Sequence, residues 1–544
     1  MRQDFNIAGK QFVVEENIVD RVIRYINPIK ANQRFRARAM HAISGAYLGA
    51  RYDRRQTSMW TTSRGDADAD TLSDLPTLTQ RSRDLDRNAP IATGAINTTT
   101  LHVVGTGLKL QSHIDRAVLN MTDEEADAWE AYTEREFRLW SESHDCDASR
   151  SLIFPEHQEL AFRQMLVNGD HFVALPRIPR KDNPYTLALQ HIEGDRVSNE
   201  NNQADTNKIC GGIEKDEYGA PKTYHICNQH PGSRFNTANR SWTKIPAFGS
   251  NTELRNIIHL YRISRAGQTR GVPYLAPVIE TLKQLDKYTE AEVMASVVSA
   301  MLTVFIKSET GDLDLAPMEP TDETKAEATD TDIKLASGAV VGLTPGESIE
   351  TVNPLRPNTG FDPFVMSILR QIGVALELPF EVLIKHFTSS YSASRAALMV
   401  AWTFFRQRRQ WLARHFCQEI YEIWLYEAVA IGRISAPGFF SDPLIKKAYC
   451  GSTWIGDAPI QIDPVKEVNA SKERIAIGIS TIDEETAFIT GGDFETNYPR
   501  IKKEVKMFRD LGIKHPAMED KQPAASQQDA DAALQEKLNT DKEG

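Results

Sequence analysis

Four side chains of types that bind zinc lie close together in the sequence: Cys210, His225, Cys227 and His230. A structural zinc site usually takes two of its ligands from one tight turn. The spacing C-x14-H-x-C-x2-H fits no paired-knuckle pattern of zinc ligands. The pattern therefore weighs against zinc, and we predict neither a metal site nor a cofactor.

Two further runs have the composition of a chemical site but not its spacing. The acidic run at residues 66–70 begins like a calcium loop, yet Thr71 stands where the sharp turn needs glycine, and no glutamate occupies position twelve. A solvated acidic turn is the simpler interpretation. His144 and Cys146 could suggest a Cys-His nucleophile, but side chains two positions apart seldom face each other.

Several motifs of common enzymes are missing from the sequence. It contains no G-x-x-x-x-G-K-[ST], no G-x-S-x-G and no H-E-x-x-H. Gly105-Thr-Gly107 lacks the third glycine of a dinucleotide fingerprint, and a turn explains it better. We therefore predict no catalytic residue and no enzymatic activity, so energy for any mechanical task must come from another protein.

Length and composition limit the classes of protein that fit. The chain has 544 residues, 41% of them hydrophobic, which predicts several folded units. Five scattered cysteines indicate a reducing compartment. The start lacks a secretory profile, and the longest nearly apolar stretch, residues 297–306, is far shorter than the roughly 20 residues of a membrane helix. We expect a protein that is neither secreted nor membrane-spanning.

Charge is unevenly distributed along the chain. The net charge of −11 by itself argues against tight binding to nucleic acid. Residues 1–60 are nevertheless basic, with eleven Arg or Lys against five acids, whereas residues 309–332 hold nine acids and one lysine. From about residue 516 the chain is polar and predicted to be mobile, because it cannot bury enough apolar surface to offset its ordering entropy.

Hydrophobic periodicity predicts a mixed fold with helices dominating the C-terminal half. Apolar residues at spacings of three and four predict amphipathic helices over residues 272–301 and 392–431, and residues 361–376 are also helical in pattern. A loop is expected between residues 379 and 391. Strands are predicted in four places: residues 172–174, 185–192, 222–226 and 334–352.

Several blocks, in the same order and at similar spacing, resemble portal proteins of lambda-type tailed bacteriophages. The resemblance spans roughly residues 35–500. The blocks are RSRDLDRNAP (81–90), GAI (94–96), VVGTG (103–107), QHIEGDRV (190–197), GIEKDEYG (212–219), GQTRGVPYLAP (267–277), LPFEVL (378–383), YSASRAAL (391–398) and IDPVKE (462–467) with Gly478 following.

The resemblance implies an α+β portal-protein fold, with helix-rich stem, wing and crown and a small strand-containing clip. The implied order of parts is an N-terminal arm (1–34), wing (35–271), first stem helix (272–303), clip (304–358), second stem helix (359–376), tunnel loop (377–394), long wing helix (395–431), crown-side region (432–515) and mobile polar tail (516–544).

The resemblance also implies a function. Portal subunits form a ring, dodecameric in particles, at one capsid vertex, and double-stranded DNA passes non-specifically through its axis during packaging and ejection. The implied partners are the terminase large subunit, the major capsid and scaffold proteins and the head-completion proteins, with no membrane. Assembly is expected in the host bacterial cytoplasm and the final location is the virion. The alternative is another DNA-packaging component, such as a terminase enzyme.

Two sets of site residues follow from this resemblance. The tunnel-loop candidates for contact with DNA are Lys385, His386, Thr388, Ser389, Ser390 and Tyr391. A loop that only seals the channel is the equally simple interpretation. The candidates for docking the motor and adaptor proteins lie in the acidic clip segment and are Asp312, Asp314, Glu319 and Asp322.

Overall fold

The computed structural model describes residues 2–7, 10–15, 64–234, 240–300, 304–308, 347–351, 360–387, 390–459 and 463–513, with a few isolated positions before residue 64. The chain divides into two compact units, Met1–Asp70 and Thr71–Gly544. In the first unit, strands β1 (Arg2–Ile7) and β2 (Lys10–Glu15) form an antiparallel hairpin.

Helices make up most of the described part of the second unit. They are α1 (Ala67–Thr71, which crosses the boundary), α2 (Leu75–Asn88), α3 (Pro90–Val103), α4 (Arg116–Leu119), α5 (Asp123–Ser141), α6 (Phe154–Asn168), α7 (Ile279–Ala300), α8 (Phe361–Ala375), α9 (Phe380–Ile384), α10 (Tyr391–Leu412), α11 (Gln418–Ala430), α12 (Pro443–Tyr449), α13 (Pro464–Ala476), α14 (Ile482–Thr490) and α15 (Phe494–Asp510).

Small antiparallel sheets complete this unit. The strands are β3 (Lys109–Ser112), β4 (Asp170–Ala174), β5 (Gln190–Ile192), β6 (Ile209–Cys210), β7 (Ile213–Lys215), β8 (Pro221–Cys227), β9 (Trp242–Pro246), β10 (Ile257–Tyr261), β11 (Val304–Ser308), β12 (Glu347–Thr351) and β13 (Ser452–Ile455). Their orders are β10-β4-β5, β6-β7-β8-β9, β13-β3 and β11-β12. A small apolar core that includes Phe172 and Tyr224 packs between the first two of these sheets.

The long C-terminal periodicity corresponds to α10 and α11, which are joined by a π-helical turn at Ala413–Cys417. Its apolar stripe lies in the main core, where Phe416 and Trp424 are fully buried. Phe137 of α5 meets Trp424 edge to face, with ring centroids 5.0 Å apart. This geometry is preferred for aromatic pairs and adds to the stabilisation from burial.

The helical pattern predicted over residues 272–301 is shorter in the structure. A 3-10 turn at Ala276–Val278 precedes α7, which begins at Ile279. Helix α8 packs against α7, and its Phe364 ring lies 5.1 Å from the ring of Tyr288. The predicted pair of helices is therefore present, and the assignment of this pair to a stem stays a prediction.

The strand predicted over residues 185–192 is largely wrong, because only Gln190–Ile192 forms β5. The preceding residues are buried but their N–H groups find other acceptors. Thr186 and Leu187 donate to the carboxylate of Glu427, at 2.6 and 3.1 Å. A carboxylate on α11 thus satisfies two of these donors, and isolated bridges of Leu187 to Arg177 and of Leu189 to Asp147 stand in place of a continuous ladder.

The loop predicted over residues 379–391 contains the short helix α9, so that prediction is wrong for its first half. The extended conformation of Pro379 suits the N-cap position, and the helix begins at the next residue. Much of the predicted strand region 334–352 lies outside the described residues, but Glu347–Thr351 is a strand and pairs with β11. The acidic segment 309–332 and the tail 516–544 lie outside the described residues.

No disulfide joins any of the five cysteines, all of which the structure describes, and four of them are buried. Among the helices that the structure describes, we find none whose length and apolar character would let it cross a membrane.

Candidate channel loop and buried polar node

Helix α9 places the first two predicted loop residues at its C-terminal end. Lys385 adopts the left-handed conformation, with φ of 55°, and caps the helix by donating its N–H to the carbonyl of Glu381. The N–H of His386 donates to the same carbonyl at 3.2 Å. Both side chains are exposed, so they are available to a molecule passing the loop.

The last two predicted loop residues lie at the start of α10. Ser390 is its N-cap, and the hydroxyl oxygen accepts from the N–H of Ala393 at 3.4 Å. Tyr391 is the first helical residue and its side chain is 52% exposed. The structure therefore brings Lys385, His386, Ser390 and Tyr391 to one exposed turn, whereas Thr388 and Ser389 lie outside the described residues.

The electrostatic environment of this turn is positive. Burial lowers the pKa of His102, and the charges of Arg409 and Lys385 lower it further. The N-terminus of the 22-residue helix α10 adds a partial positive charge. Both effects favour an anion such as phosphate.

The predicted docking residues Asp312, Asp314, Glu319 and Asp322 all lie outside the described residues. Their assignment stays a prediction.

A buried arginine that the site prediction missed organises the region around β4. The Nε and Nη2 groups of Arg270 donate to the carboxylate of Asp170, and Nη2 also donates to the carbonyl of Gly194 at 2.9 Å. Its Nη1 group donates to the carbonyls of Val197 and Gly211 at 3.0 and 2.9 Å. All five N–H donors of the guanidinium are therefore used. We call Arg270, Asp170 and these three carbonyls the polar node.

Asp170 is the anionic partner in the polar node. Burial by itself disfavours its charged form, but the Arg270 guanidinium and His259 outweigh burial and hold the pKa of Asp170 well below its usual range. Arg270 also lies over the ring of Phe172, 5.1 Å from its centroid. The node consequently ties β4 to the turn at Gly194–Arg196 and to the segment that leads into α7.

Glycines leave the room that the polar node needs. Gly169 has φ of 92°, and a Cβ on Gly271 would lie 2.0 Å from the carbonyl oxygen of Gly169. A Cβ on Gly194 would lie 2.6 Å from a carboxylate oxygen of Asp170. Two of the sequence blocks above, residues 190–197 and 267–277, therefore meet at a site where only glycine fits.

Three histidines form a hydrogen-bonded chain beside the polar node. Nδ1 of His157 lies 2.6 Å from Nε2 of His191, and Nδ1 of His191 lies 2.7 Å from Nε2 of His171. Burial lowers the pKa of His157 and of His171 to about 4 and places that of His191 well below its usual value. The chain is therefore neutral at pH 7.

The four residues of zinc-binding types have separate partners. Nε2 of His225 lies 2.8 Å from a carboxylate oxygen of Glu214. Nε2 of His230 lies 3.3 Å from the carboxylate of Glu193. The Cys210 thiol donates to the carbonyl of Thr206. The Cys227 thiol lies 3.8 Å from the side-chain oxygen of Asn228, so each of the four side chains has a partner of its own.

The Gly105-Thr-Gly107 turn also has a structural explanation. Both glycines have positive φ, of 59° and 102°. The N–H and hydroxyl groups of Thr106 donate to the carboxylate of Asp457 at 2.8 and 2.7 Å. Arg409 donates to the carbonyls of His102 and Val103, where α3 ends. The turn thus connects α3 to α10 and to the segment after β13.

Comparison with known proteins shows the family. The family model described as "Phage portal protein, lambda family" matches residues 53–409. Portal protein B of Escherichia phage lambda is 26% identical over 482 residues, covering 85% of this chain and 89% of the relative. The portal protein of Escherichia phage N15 is also 26% identical over 482 residues, covering 84% and 89%.

A chain in a solved structure described as the neck of an empty GTA particle, computed with C6 symmetry, is similar to this chain. The match covers 79% of this chain and 97% of that chain, with a TM-score of 0.41 and 13% sequence identity. The chain belongs to the lambda family of phage portal proteins. The predicted portal function and α+β portal fold are therefore confirmed, and the family is one of structural proteins.

The polar node and the histidine chain were not among the predicted site residues. One signal in the sequence could have indicated the node. Arg270 lies between Gly267 and Gly271, and a turn formed by such glycines seldom needs a charged residue. The histidine chain has no comparable signal, because its members lie on α6, β4 and β5 and only the fold brings them together.

Proposed function

We propose that this chain forms a ring at one capsid vertex, dodecameric in assembled particles, through which double-stranded DNA is packaged and ejected. The observation that carries the proposal is the match of the lambda-family portal model over residues 53–409. A cyclic ring uses heterologous contacts, in which each subunit offers one face to the next. Contact with neighbouring copies would cover apolar side chains that are exposed in the single chain.

Two such side chains lie one helical turn apart on α7. Val293 is 57% exposed and Val297 is 45% exposed, although both are aliphatic. Residues four apart lie on the same helix face. An exposed aliphatic pair on a helix of the proposed stem suits a contact with the next subunit.

Ring formation can be tested directly with purified protein. Negative-stain images of the wild type should show rings with a central hole. The double change Val293→Asp and Val297→Asp should shift the protein to monomers in analytical ultracentrifugation without loss of helical circular dichroism. Tyr218→Asp, at a turn where the tyrosine is 87% exposed, should leave rings intact. Wild-type protein that stays monomeric would contradict the ring proposal.

The DNA must be held loosely if it is to move. Every phosphate that Lys or Arg neutralises releases counterions and strengthens binding, with a salt slope of about −0.9 per contact. A net charge of −11 per subunit keeps such contacts few and repels the duplex from the channel wall. The proposed role of the exposed turn at Lys385–Tyr391 is therefore sparse and exchangeable contact with phosphates.

The contact role of this turn is tested by Lys385→Ala combined with His386→Ala. Rings should still assemble, because both side chains are exposed. Filled particles should lose DNA more readily, and the salt dependence of DNA retention should become weaker, because one phosphate contact per subunit is removed. Lys208→Ala, which changes an exposed lysine on another part of the chain, serves as the control. Unchanged packaged length and retention in the double variant would favour a loop that only seals the channel.

The remaining partners belong to the same proposal. We infer that the terminase motor, and later the head-completion proteins, dock on the acidic segment with Asp312, Asp314, Glu319 and Asp322, and that capsid and scaffold proteins contact the outer surface. The proposal has the ring assemble in the bacterial cytoplasm and then become part of the virion. The motor must be a separate protein, because the sequence contains no phosphate-binding loop.

A further inference from the structure

Helix α5 and the start of α15 bring three carboxylates together. Asp127 and Glu130 lie three residues apart on α5, and Glu495 is the second residue of α15. One carboxylate oxygen from each lies within 4.8 Å of the other two. Asp127 and Glu495 are exposed, whereas the Glu130 residue is only 1% exposed.

The buried member of this group has an unused oxygen. Oε1 of Glu130 accepts the N–H of Ile114 at 2.8 Å. Its Oε2 is buried and has no hydrogen-bond donor. The nearest cation, Nη2 of Arg116, lies 3.6 Å away and donates instead to Asp127 at 2.7 Å. A buried polar atom without a hydrogen-bond partner is destabilising, and more so when it is charged, so a cation beside this oxygen would be favourable.

The charges around the cluster indicate the same need. Arg116 also donates to Asp123, at 3.2 Å, so its single positive charge is shared among three carboxylates. The group carries more negative charge than one guanidinium neutralises.

We propose that Asp127, Glu130 and Glu495 bind one divalent cation, Ca²⁺, which links α5 to the first turn of α15. Carboxylate oxygens are the ligands that hard cations prefer, and Ca²⁺ accepts Ca–O bonds of about 2.3–2.6 Å in flexible geometry. Mg²⁺ usually keeps several waters and takes only one or two carboxylates, so a cluster of three carboxylates suits Ca²⁺ better. Arg116 would yield its place and move towards Asp123, which it already contacts.

The site is tested by calorimetric titration of CaCl₂ into full-length protein that has been treated with a chelator. The wild type should bind one Ca²⁺ per subunit, and MgCl₂ should bind more weakly. Glu495→Gln should weaken Ca²⁺ binding at least tenfold and should fold normally, because the side chain is exposed. Glu473→Gln, an exposed change on α13, should bind like the wild type. No heat of Ca²⁺ binding in the wild type, or equal binding by Glu495→Gln, would overturn the proposal.

A second variant separates a cation site from a network that Arg116 already satisfies. Arg116→Met removes the competing guanidinium and leaves all three carboxylates in place. If the cluster binds Ca²⁺, this variant should bind it more tightly than the wild type, and Ca²⁺ should raise its melting temperature more. If Arg116→Met loses stability and Ca²⁺ restores none of it, the carboxylates serve Arg116 alone and the proposed site does not exist.

Discussion

Lowering the pH from 7.5 to 5 is expected to reduce the free energy of unfolding by about 4 kcal/mol through two buried histidines. The folded pKa of His157 and of His171 is about 4, against an ordinary value of 6.5. Because the folded pKa is lowered, the unfolded chain binds more protons between pH 6.5 and 4, and stability falls as pH falls through that window. Linkage gives about 2 kcal/mol per histidine at pH 5.

The structure explains why the chain resists protonation. Two N···N hydrogen bonds among three neutral rings need one N–H each, which leaves one N–H for an end of the chain. Nε2 of His157 and Nδ1 of His171, the two ends, are buried without hydrogen-bond partners. The carboxylate of Asp147 lies 3.9 Å from Nε2 of His157, and Asp170 acts on His171. Both carboxylates favour the charged form, but burial outweighs them.

The measurement is denaturant unfolding followed by circular dichroism between pH 4.5 and 7.5. His157→Gln should flatten the dependence of stability on pH by about 1.4 kcal/mol per pH unit below pH 6.5, which corresponds to one proton. His144→Gln changes an exposed histidine and should leave the dependence unchanged. A wild-type stability that is constant from pH 7.5 to 5 would contradict the prediction.

The sequence predicted best those features that depend on local spacing. The apolar residues at spacings of three and four over 392–431 correspond to α10 and α11, because one face of a helix packs against one core. The predicted strand at residues 185–192 is interrupted where the N–H groups of Thr186 and Leu187 pair with the carboxylate of Glu427, which is 240 positions from Leu187. Local patterns carry no information about a partner at that distance.

Site chemistry was the least predictable part for the same reason. Ligand types were visible in Cys210 and His225, but strand pairing places Glu214 opposite Thr223 and beside His225, so the histidine has a carboxylate partner. The reverse holds for Glu130 and Glu495, which are far apart in sequence and meet only because α15 begins next to α5. The net charge of −11 likewise said little about where DNA would be contacted, because the exposed Lys385 lies at the turn where we propose that contact.

The second large effect is expected from Arg270→Met. The substitution leaves the Asp170 carboxylate charged, buried and without its guanidinium, and it leaves three backbone carbonyls without a donor. Removing one partner of a buried ion pair typically costs about 3–5 kcal/mol. The loss should appear as a lower denaturant midpoint, and as faster amide exchange in β4 and in the turn at Gly194–Arg196, which the polar node connects.

Comparison variants assign this loss to the geometry of the guanidinium. Arg270→Lys keeps the charge but offers three N–H donors where five are used, so it should restore only part of the stability. Arg83→Met breaks the partly exposed pair with Asp195 and should cost only about 1 kcal/mol, since solvent screens such pairs. Equal losses of stability for Arg270→Met and Arg83→Met would show that burial does not strengthen the contribution of the polar node. A full rescue of stability by Arg270→Lys would show that the positive charge alone suffices. We expect neither of these two outcomes. Arg270 makes five hydrogen bonds through one planar group, and no other side chain supplies that number of donors in one plane.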